Sequence, residues 1–334
     1  MRTGPRRPTL ADVAAAAGVS TALVSIVMRD VPGASPANRA RVLEAAERLG
    51  YRPDSRARLL RSGHSRLLGV VFGVLDAFHG DLVTGLYDAA GHAGYELALS
   101  AFTPNRDEHT AIGGLLQDRC EALILLSLTS PVRELAELAA RMPTVVVMRS
   151  VRETTVDVVR TDDRRGLHQA VDYLAGLGHR RIAHIDGGRM PNSSDRRRGY
   201  QEAMQRNGLA ATIQLLPGGP SHDDGTAAAQ ELLADPPTAI TVYNDRAAIG
   251  VLDTLRRAGL DVPRDVSVVG YDDSSAARFR HVALTTVAQD AAALAELAVR
   301  RAVERIEGQP VQHREQVVPP HLVIRGTTGP PRRI

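Results

Sequence analysis

The sequence predicts a small all-α helix-turn-helix head followed by an α/β body of two doubly wound parallel-sheet lobes, and three observations carry that expectation. The first 50 residues hold only short, helix-spaced apolar stripes bounded by capping residues and glycines. From residue 67 onward, short apolar runs alternate with helical stretches of ~10–15 residues, the pattern of parallel sheets with helices on both faces. Charge divides at the same place. Residues 1–66 carry twelve arginines against five acidic residues, whereas the remainder carries 29 arginines against 33 acids. A basic head on a mildly acidic body suggests that the head alone meets a polyanion.

In the head, Thr9 is placed to cap a first helix through Leu10, Val13 and Ala14, with Asp12 in its first turn. Gly18 ends that helix, at a position that calls for positive φ. Ser20 caps a second helix from Thr21 to about Met28, with Leu23, Val24 and Val27 as its apolar stripe. After the turn at 31–34, Ser35 caps a third helix and Pro36 takes its first position. Val42, Leu43, Ala46 and Leu49 are expected to point inward, and Gly50 stops the helix. Short helices joined by glycine-containing turns make a helix-turn-helix. Residues 51–66 are basic and nearly without core. Pro53 is placed to start a short helix over 54–61, read as a linker that is helical only when bound.

In the body, apolar runs at 68–74, 96–100, 122–128, 144–148, 156–159, 181–185, 239–242 and 266–270 read as strands. Helical stretches over 82–93, 163–177, 197–207, 224–233, 246–258 and 291–307 separate most of them. The domain boundaries are 1–50 for the head, 51–66 for the hinge and 67–330 for the body. Lobe 1 takes about 67–160 plus 291–318, and lobe 2 about 161–290 plus 319–330.

Composition and missing motifs narrow the function. The single cysteine, Cys120, excludes an internal disulfide framework and a cysteine-based metal site, and its apolar neighbours favour an inert thiol. No stretch approaches the ~20 apolar residues of a membrane span. The N-terminus lacks the apolar core of an export signal, so a cytoplasmic protein without membrane contact is expected. There is no lysine at all, hence no phosphate-binding Walker lysine, and no GxGxxG after a strand, GxSxG elbow or HExxH. The histidines are scattered without ligand spacing. A non-enzymatic protein without cofactor or metal follows, and a transport-associated solute-binding protein is disfavoured by the basic head and the absent signal.

Several segments together resemble the lactose/galactose repressor (LacI/GalR) family over essentially the whole chain. They are the head and hinge TLADVAAAAGVSTALVSIVMRDVPGASPANRARVLEAAERLGYRPDSRARLLRSG, then LGHRRIAHIDGG, the RxxGY at 196–200, YNDRAAIGVLDTLRRAGLDVPRDVSVVGYDD and LTTVAQD. The resemblance implies a DNA-binding homodimer whose lobes are of periplasmic-binding-protein type, with a small-molecule effector, carbohydrate or related metabolite, between them. A double-stranded palindromic operator and a transcriptional repressor are the corresponding expectations. Ligand-strengthened binding and activation remain open alternatives, because no residue sets the sign of the coupling. The end GTTGPPRRI carries no heptad extension, so dimer is expected over tetramer.

In such a head the N-terminal side chains of the second helix reach base edges, here Thr21 and Ala22, with Ser25 and Ile26 one turn on. Ser20 and Ser25 suit phosphates, Thr21 a base edge, and the Ala22 and Ile26 methyls a thymine methyl. Structure alone would make Ser20 a cap and Ile26 core. Thr9 and Tyr51 join the DNA-facing set. Ile26 stands where the family usually has Arg, and Arg29 where Asn is frequent, so the operator should differ there by ~1–3 kcal/mol of discrimination. In the hinge, the resemblance aligns Ala57 and Leu60 with minor-groove residues, Leu60 as the wedge, and makes Arg56 and Arg61 phosphate partners. The alternative is that Leu60 packs against the body.

For the effector, the family motifs place Arg196, Asn244 and Asp272 in the crevice at strand carboxyl ends. An Arg fork and an Asp acceptor suit vicinal hydroxyls or a carboxylate. Asp76, Phe78 and His79 follow the first strand on the opposite wall. Asp272 or Asn244 could instead only tie loops together. Met148 stands where many sugar-responsive members have Asp, and Pro220 near a position often aromatic; both departures weaken a simple hexose.

Overall fold

The computed structural model describes residues 8–28, 30–51, 64–152 and 155–332. The chain forms two compact units, Met1–Ser65 and Arg66–Ile334. The first contains α1 (Leu10–Ala17), α2 (Thr21–Met28) and α3 (Pro36–Leu49). The Thr9 hydroxyl accepts from the Asp12 amide while the Asp12 carboxylate accepts from the Thr9 amide at 2.7 Å, a capping box. Gly18 closes α1 at φ 62°, and the axes of α1 and α2 break by 104° across that turn. Val13, Ala14, Ala17, Val24, Val27, Val42, Ala45 and Ala46 form the buried centre. Leu43, expected inside, is 49% exposed, and Ala45 takes its place. Positions 42, 45, 46 and 49 are spaced i, i+3, i+4, i+7, which leaves 43 about a quarter-turn off the stripe.

The second unit has two six-stranded sheets. Lobe 1 is built from β1 (Leu67–Gly73), β2 (Glu96–Phe102), β3 (Ala122–Leu126), β4 (Thr144–Val147), β5 (Asp157–Thr161) and β11 (Glu315–Val318), in the order β11-β5-β4-β3-β1-β2 and all parallel. Lobe 2 takes β6 (Ile182–Ile185), β7 (Gln214–Leu216), β8 (Ala239–Val242), β9 (Ser267–Asp272), β10 (Thr285–Ala288) and β12 (His321–Val323), in the order β12-β10-β9-β8-β6-β7. Only the β10–β12 edge pair runs antiparallel.

Both faces of each sheet are covered. In lobe 1, α4 (Ala77–His92) and α11 (Ala291–Ile306) pack on one face, against Leu68, Val70, Ile124 and Leu126. On the other face α5 (Glu108–Gln117) and α6 (Val132–Ala139) meet Val71, Leu123 and Leu125. Successive strand residues thus serve opposite layers, and this is why the strands read as unbroken apolar runs. In lobe 2, α7 (Asp163–Gly176) and α8 (Ser193–Arg206) cover one face, and α9 (His222–Leu232) and α10 (Asp245–Arg257) the other. The chain passes between the sheets three times, after β5, after β10 and after β11. The expected architecture of a helical head and two parallel-sheet lobes is the one observed.

The elements the pattern did not reveal are β7, β10, β11, β12, α5 and α6. Strands β7, β11 and β12 are three or four residues long at or next to sheet edges, partly exposed, and so lack a full apolar run. Strand β10, TTVA, buries threonines whose hydroxyls are bonded within the lobe. No single helix among the described residues is long and apolar enough to cross a membrane.

Candidate functional site

Two places in the described chain are built for contact with other molecules. The first is the start of α2. Ser20 caps it, its hydroxyl accepting from the Leu23 amide at 3.2 Å. Thr21 and Ala22 are exposed at the first two helical positions, while Ser25 and Ile26, one turn on, are half-buried. Ile26 lies against the 31–34 turn, where a Cβ on Gly33 would touch its methyl at 3.6 Å. The expectation that Ile26 is partly core therefore has a physical counterpart. Tyr51 follows α3 and packs against the head core, and Thr9 caps α1. Arg41, not singled out from sequence, donates to the carbonyls of Ala17 and Gly18 and so fixes the turn that presents α2. Arg29, Arg56, Ala57, Leu60 and Arg61 lie outside the described residues.

The second place is a cavity of about 630 Å³ between the two lobes. It opens where the strand order reverses in each sheet, at the carboxyl ends of the strands, the usual ligand crevice of such sheets. Lobe 1 contributes the loop after β1 and the start of α4, the start of α5, and the loop after β3. Asp76 caps α4, accepting from the Phe78 amide at 3.0 Å; Phe78 and His79 are buried and line the cavity. Glu108 accepts the amides of Thr129 and Ser130 at 2.7 and 2.8 Å, and Arg149 donates to the carbonyls of Leu128 and Ser130, so the loop after β3 is held from both sides.

From lobe 2, Asn244 caps α10, its oxygen accepting from Ala247 at 2.8 Å and its amide donating to the Pro220 carbonyl at 3.1 Å. Both ends of that side chain therefore hold loops of the wall. Asp245 is buried behind it, accepting from Thr286 Oγ1 at 2.6 Å and the Ser274 amide at 2.7 Å. Burial pushes its carboxyl up to about 7, against the hydrogen bonds from Thr286 and Ser274. Asp272 accepts from Gln289 Nε2 at 2.8 Å, and burial raises its carboxyl well above the usual range although Arg196 opposes this. Asp272 sits at φ 112° and Asp273 at φ 54°, and across the cleft Ser127 and Met148 are at φ 51° and 63°. Such strained non-glycine backbone gathers at functional sites.

Arg196 does not line the cavity. It is 1% exposed, with its guanidinium 3.6 Å from the centroid of the Tyr271 ring and 4.7 Å from that of Tyr243. Nε is 2.8 Å from Asp163 Oδ1, Nη1 donates to the Tyr243 carbonyl, and Nη2, 3.7 Å from Asp272 Oδ1, has no hydrogen-bond partner. Burial opposes its charge, but the carboxylates of Asp163 and Asp272 keep it firmly protonated. Met148 is likewise behind the wall, its sulfur 3.6 Å from Ser127 Oγ, and Ser127 is the residue that reaches the cavity.

The bacterial regulatory protein model of the lacI family matches residues 9–54, and a periplasmic binding protein-like domain model matches residues 171–328. The HTH-type transcriptional regulator GalR of Escherichia coli strain K12 is 33% identical over 330 residues, 97% of this chain and 96% of that protein. This chain belongs to the LacI family. A LacI transcriptional regulator from a Rhodococcus species is 48% identical, covering 80% of this chain and all of that one, with a TM-score of 0.78. The Lac repressor dimer bound to operator and the anti-inducer ONPF is 28% identical over 97% of this chain and all of that one, with a TM-score of 0.83. The chain is therefore a transcriptional regulator with a DNA-binding head and a ligand-binding body.

Within that LacI-family frame, Asp76, Phe78, His79, Asn244 and Asp272 line the cavity, and Pro220 lines it as well. Sequence reasoning missed the wall formed by the end of β2, the start of α5 and the loop after β3, including Phe102, Glu108 and Ser130. A signal was present: Asp107 ahead of Glu108 is a capping residue followed by an acid in the first turn, and its carboxylate accepts from the Thr110 amide at 2.8 Å. Arg246, also missed, donates to the Leu75 carbonyl at 2.6 Å and so joins lobe 2 to lobe 1 across the cleft.

Proposed function

We propose that the chain is a dimeric repressor that reads a palindromic operator and is controlled by a small molecule held between its lobes. The observation that carries this reading is the pairing, in one LacI-family chain, of a capped, outward-facing recognition helix with a cavity walled by both lobes. Thr21, Ala22, Ser25 and Ile26 then read bases in the major groove, with Ser20, Thr9 and Tyr51 on the backbone side. Arg29, Arg56, Ala57, Leu60 and Arg61 complete the DNA-facing set, Leu60 as the minor-groove wedge. Asp76, Phe78, His79, Asn244 and Asp272 face the effector directly, and Arg196 and Met148 act from behind Asp272 and Ser127. The ligand acts by favouring one lobe arrangement, which changes the affinity of the paired heads for DNA. The relatives are transcription regulators, and the protein works in the cytoplasm without catalysing a reaction.

Selection of sites from a random duplex library by the purified full-length chain, at near-physiological salt, tests this. The expected result is a palindromic consensus with a fixed centre. Binding that is salt-sensitive and blind to sequence, with and without candidate ligands, would refute it.

A further inference from the structure

We propose that the furrow between α4 and α11 on lobe 1 is a docking surface for a partner protein, and that it takes an amphipathic helix whose apolar ridge is flanked by arginine or lysine. The furrow shares no lining residue with the cleft between the lobes.

Its volume is about 690 Å³, and its depth comes from small side chains. At Gly85 the two helices nearly touch: an added Cβ would stand 3.0 Å from Ala295 Cβ and 3.4 Å from the Ala291 carbonyl oxygen. Elsewhere Ala89 and Ala93 from the α4 side, and Ala292, Val299 and Val303 from α11, line the furrow without filling it. Val299 is buried, Ala89 and Val303 are half-buried, and Ala93 and Ala292 are exposed, so apolar carbon faces solvent along the floor. The lining positions 85, 89 and 93 recur every four residues, and 292, 296, 299, 303 and 307 every three or four, so each helix turns one stripe toward the furrow. A furrow between two neighbouring helices has the shape of a third helix, laid in it ridge into groove. From Ala292 to Glu307 the α11 side runs ~22 Å, room for about four turns.

The rim fixes the charge of the occupant. Asp88, Glu296, Glu304 and Glu307 line the furrow, against one guanidinium, Arg300, and the imidazole of His92. Arg300 is held by Glu296 at 3.7 Å. Arg301 and Arg305, on the same helix, are drawn inward to the buried Asp157 at 3.1 and 2.6 Å, and Glu304 shares the first of them at 2.9 Å. Glu307 accepts from Gln309 Nε2 at 2.7 Å, and Asp88 forms no ion pair among the described residues. An apolar floor with carboxylates contributed by both helices matches a helix with cations on both flanks, whereas an acidic segment would be repelled. Helix α11 begins two residues after Gln289, which bonds both Asp272 and Thr161. An occupant seated on α11 therefore bears on the helix that follows one of the crossovers, and gives the regulator a second input beside its small molecule.

Selection from a phage-displayed library of random peptides about 20 residues long, by the purified full-length chain at near-physiological salt, tests this. The enriched peptides are then synthesised and titrated by fluorescence anisotropy against the parent, the double variant Glu296→Arg and Glu307→Arg, and Ala93→Trp, which fills the floor without changing its charge. Thermal midpoints check folding, and Ala292→Trp replaces Ala93→Trp if that variant is destabilised. The expected winners carry apolar residues at helical spacing with lysine or arginine beside them, and bind on the order of 10-fold more weakly to the charge-reversed chain and to the filled one. Enrichment of acidic or uncharged peptides, or of none, overturns the proposal. Binding that falls with charge reversal but not with Ala93→Trp or its substitute overturns it as attraction to the rim alone, and binding indifferent to all variants places the peptide elsewhere and overturns it too. Sedimentation equilibrium of each variant is expected to give the parent's mass; a lower one would make the furrow an interface between copies of this chain instead.

Discussion

Replacing Arg196 with methionine should cost on the order of 4 kcal/mol of stability at neutral pH, a large share of the ~5–15 kcal/mol typical of a folded domain. The guanidinium is the one cation between two buried acids, 2.8 Å from Asp163 and 3.7 Å from Asp272. Breaking a buried pair leaves a charge uncompensated, at about 3–5 kcal/mol. Losing the stack on Tyr271 and Tyr243 adds up to about 2 kcal/mol, of which methionine sulfur restores roughly half. Asp163 limits the damage by taking up a proton, because burial already raises its carboxyl and Arg196 is the main influence opposing that rise. The loss should therefore depend on pH. Without Arg196, the folded chain holds a proton on Asp163 that the unfolded chain releases at the ordinary carboxylate value, so stability falls as pH rises through that window. Urea unfolding followed by circular dichroism, at pH 5 and pH 7.5, reads both effects, and Asp163→Asn in the Arg196→Met background should recover at least half of the loss at the higher pH. A cost below about 1 kcal/mol, or one that is equal at both pH values, would refute the view of Arg196 as the electrostatic support of this wall.

Two further outcomes follow from the same lobe. Asp245 has its carboxyl raised from 3.8 to about 7 by burial, so the folded state binds a proton in that interval that the unfolded state has lost, and stability declines between about pH 4 and pH 7. Asp245→Asn keeps both hydrogen bonds, with its oxygen toward the Ser274 amide and its amide toward Thr286 Oγ1, and should flatten a decline that reaches on the order of 4 kcal/mol; an unchanged pH profile of the unfolding midpoint would count against it. Gly225 and Gly250 let α9 and α10 approach until an added Cβ would meet the Ala247 carbonyl oxygen at 2.0 Å or that of His222 at 2.1 Å. Gly250→Ala should force the helices apart, cost about 1–3 kcal/mol in urea unfolding and weaken ligand binding through Pro220 and Ser221 at the start of α9, whereas an unaltered midpoint would show that the contact is soft.

The parts of this fold that sequence reveals are those in which one local signal decides the outcome. Thr9, Ser20 and Ser35 cap their helices because a short hydroxyl beside a free amide leaves little else to do. The strands buried on both faces announce themselves as apolar runs. What stays hidden depends on tertiary neighbours. Strand β10 is carried by threonines that look polar until Asp245 accepts the Thr286 hydroxyl and Thr328 shares a hydrogen bond with that of Thr285. The wall around α5 is invisible because Glu108 reads as an ordinary surface acid, yet it receives two backbone amides from a loop about twenty residues away. Arg196 shows how a motif names a residue without its posture. Its motif marks the cleft, while the two tyrosines that turn it into a buried bracket come from β9 and from the loop after β8.

The cleft is tied more heavily within each lobe than between the lobes, and that difference bears on how a ligand acts. Loops within each lobe are tied several times over, by Glu108 and Arg149 in lobe 1 and by Asn244 and Asp245 in lobe 2. Between the lobes, Arg246 reaches the Leu75 carbonyl across the mouth, and Gln289 receives Thr161 at 2.6 Å while donating to Asp272. Gln289 lies just after β10 and Thr161 ends β5, so this short chain of hydrogen bonds joins two of the three crossovers to Asp272, which lines the cavity. A ligand bonded to Asp272 acts on the strands about which the lobes turn, whereas one that displaces Arg246 acts on the mouth. The free energy available for either is the difference in contacts between open and closed forms, not the total affinity. A ligand that binds Asp272 equally in both forms would leave DNA affinity unchanged however tightly it held, so under the proposed function control comes from contacts that differ between the two forms, such as those reaching Asp76 on the opposite wall or displacing Arg246.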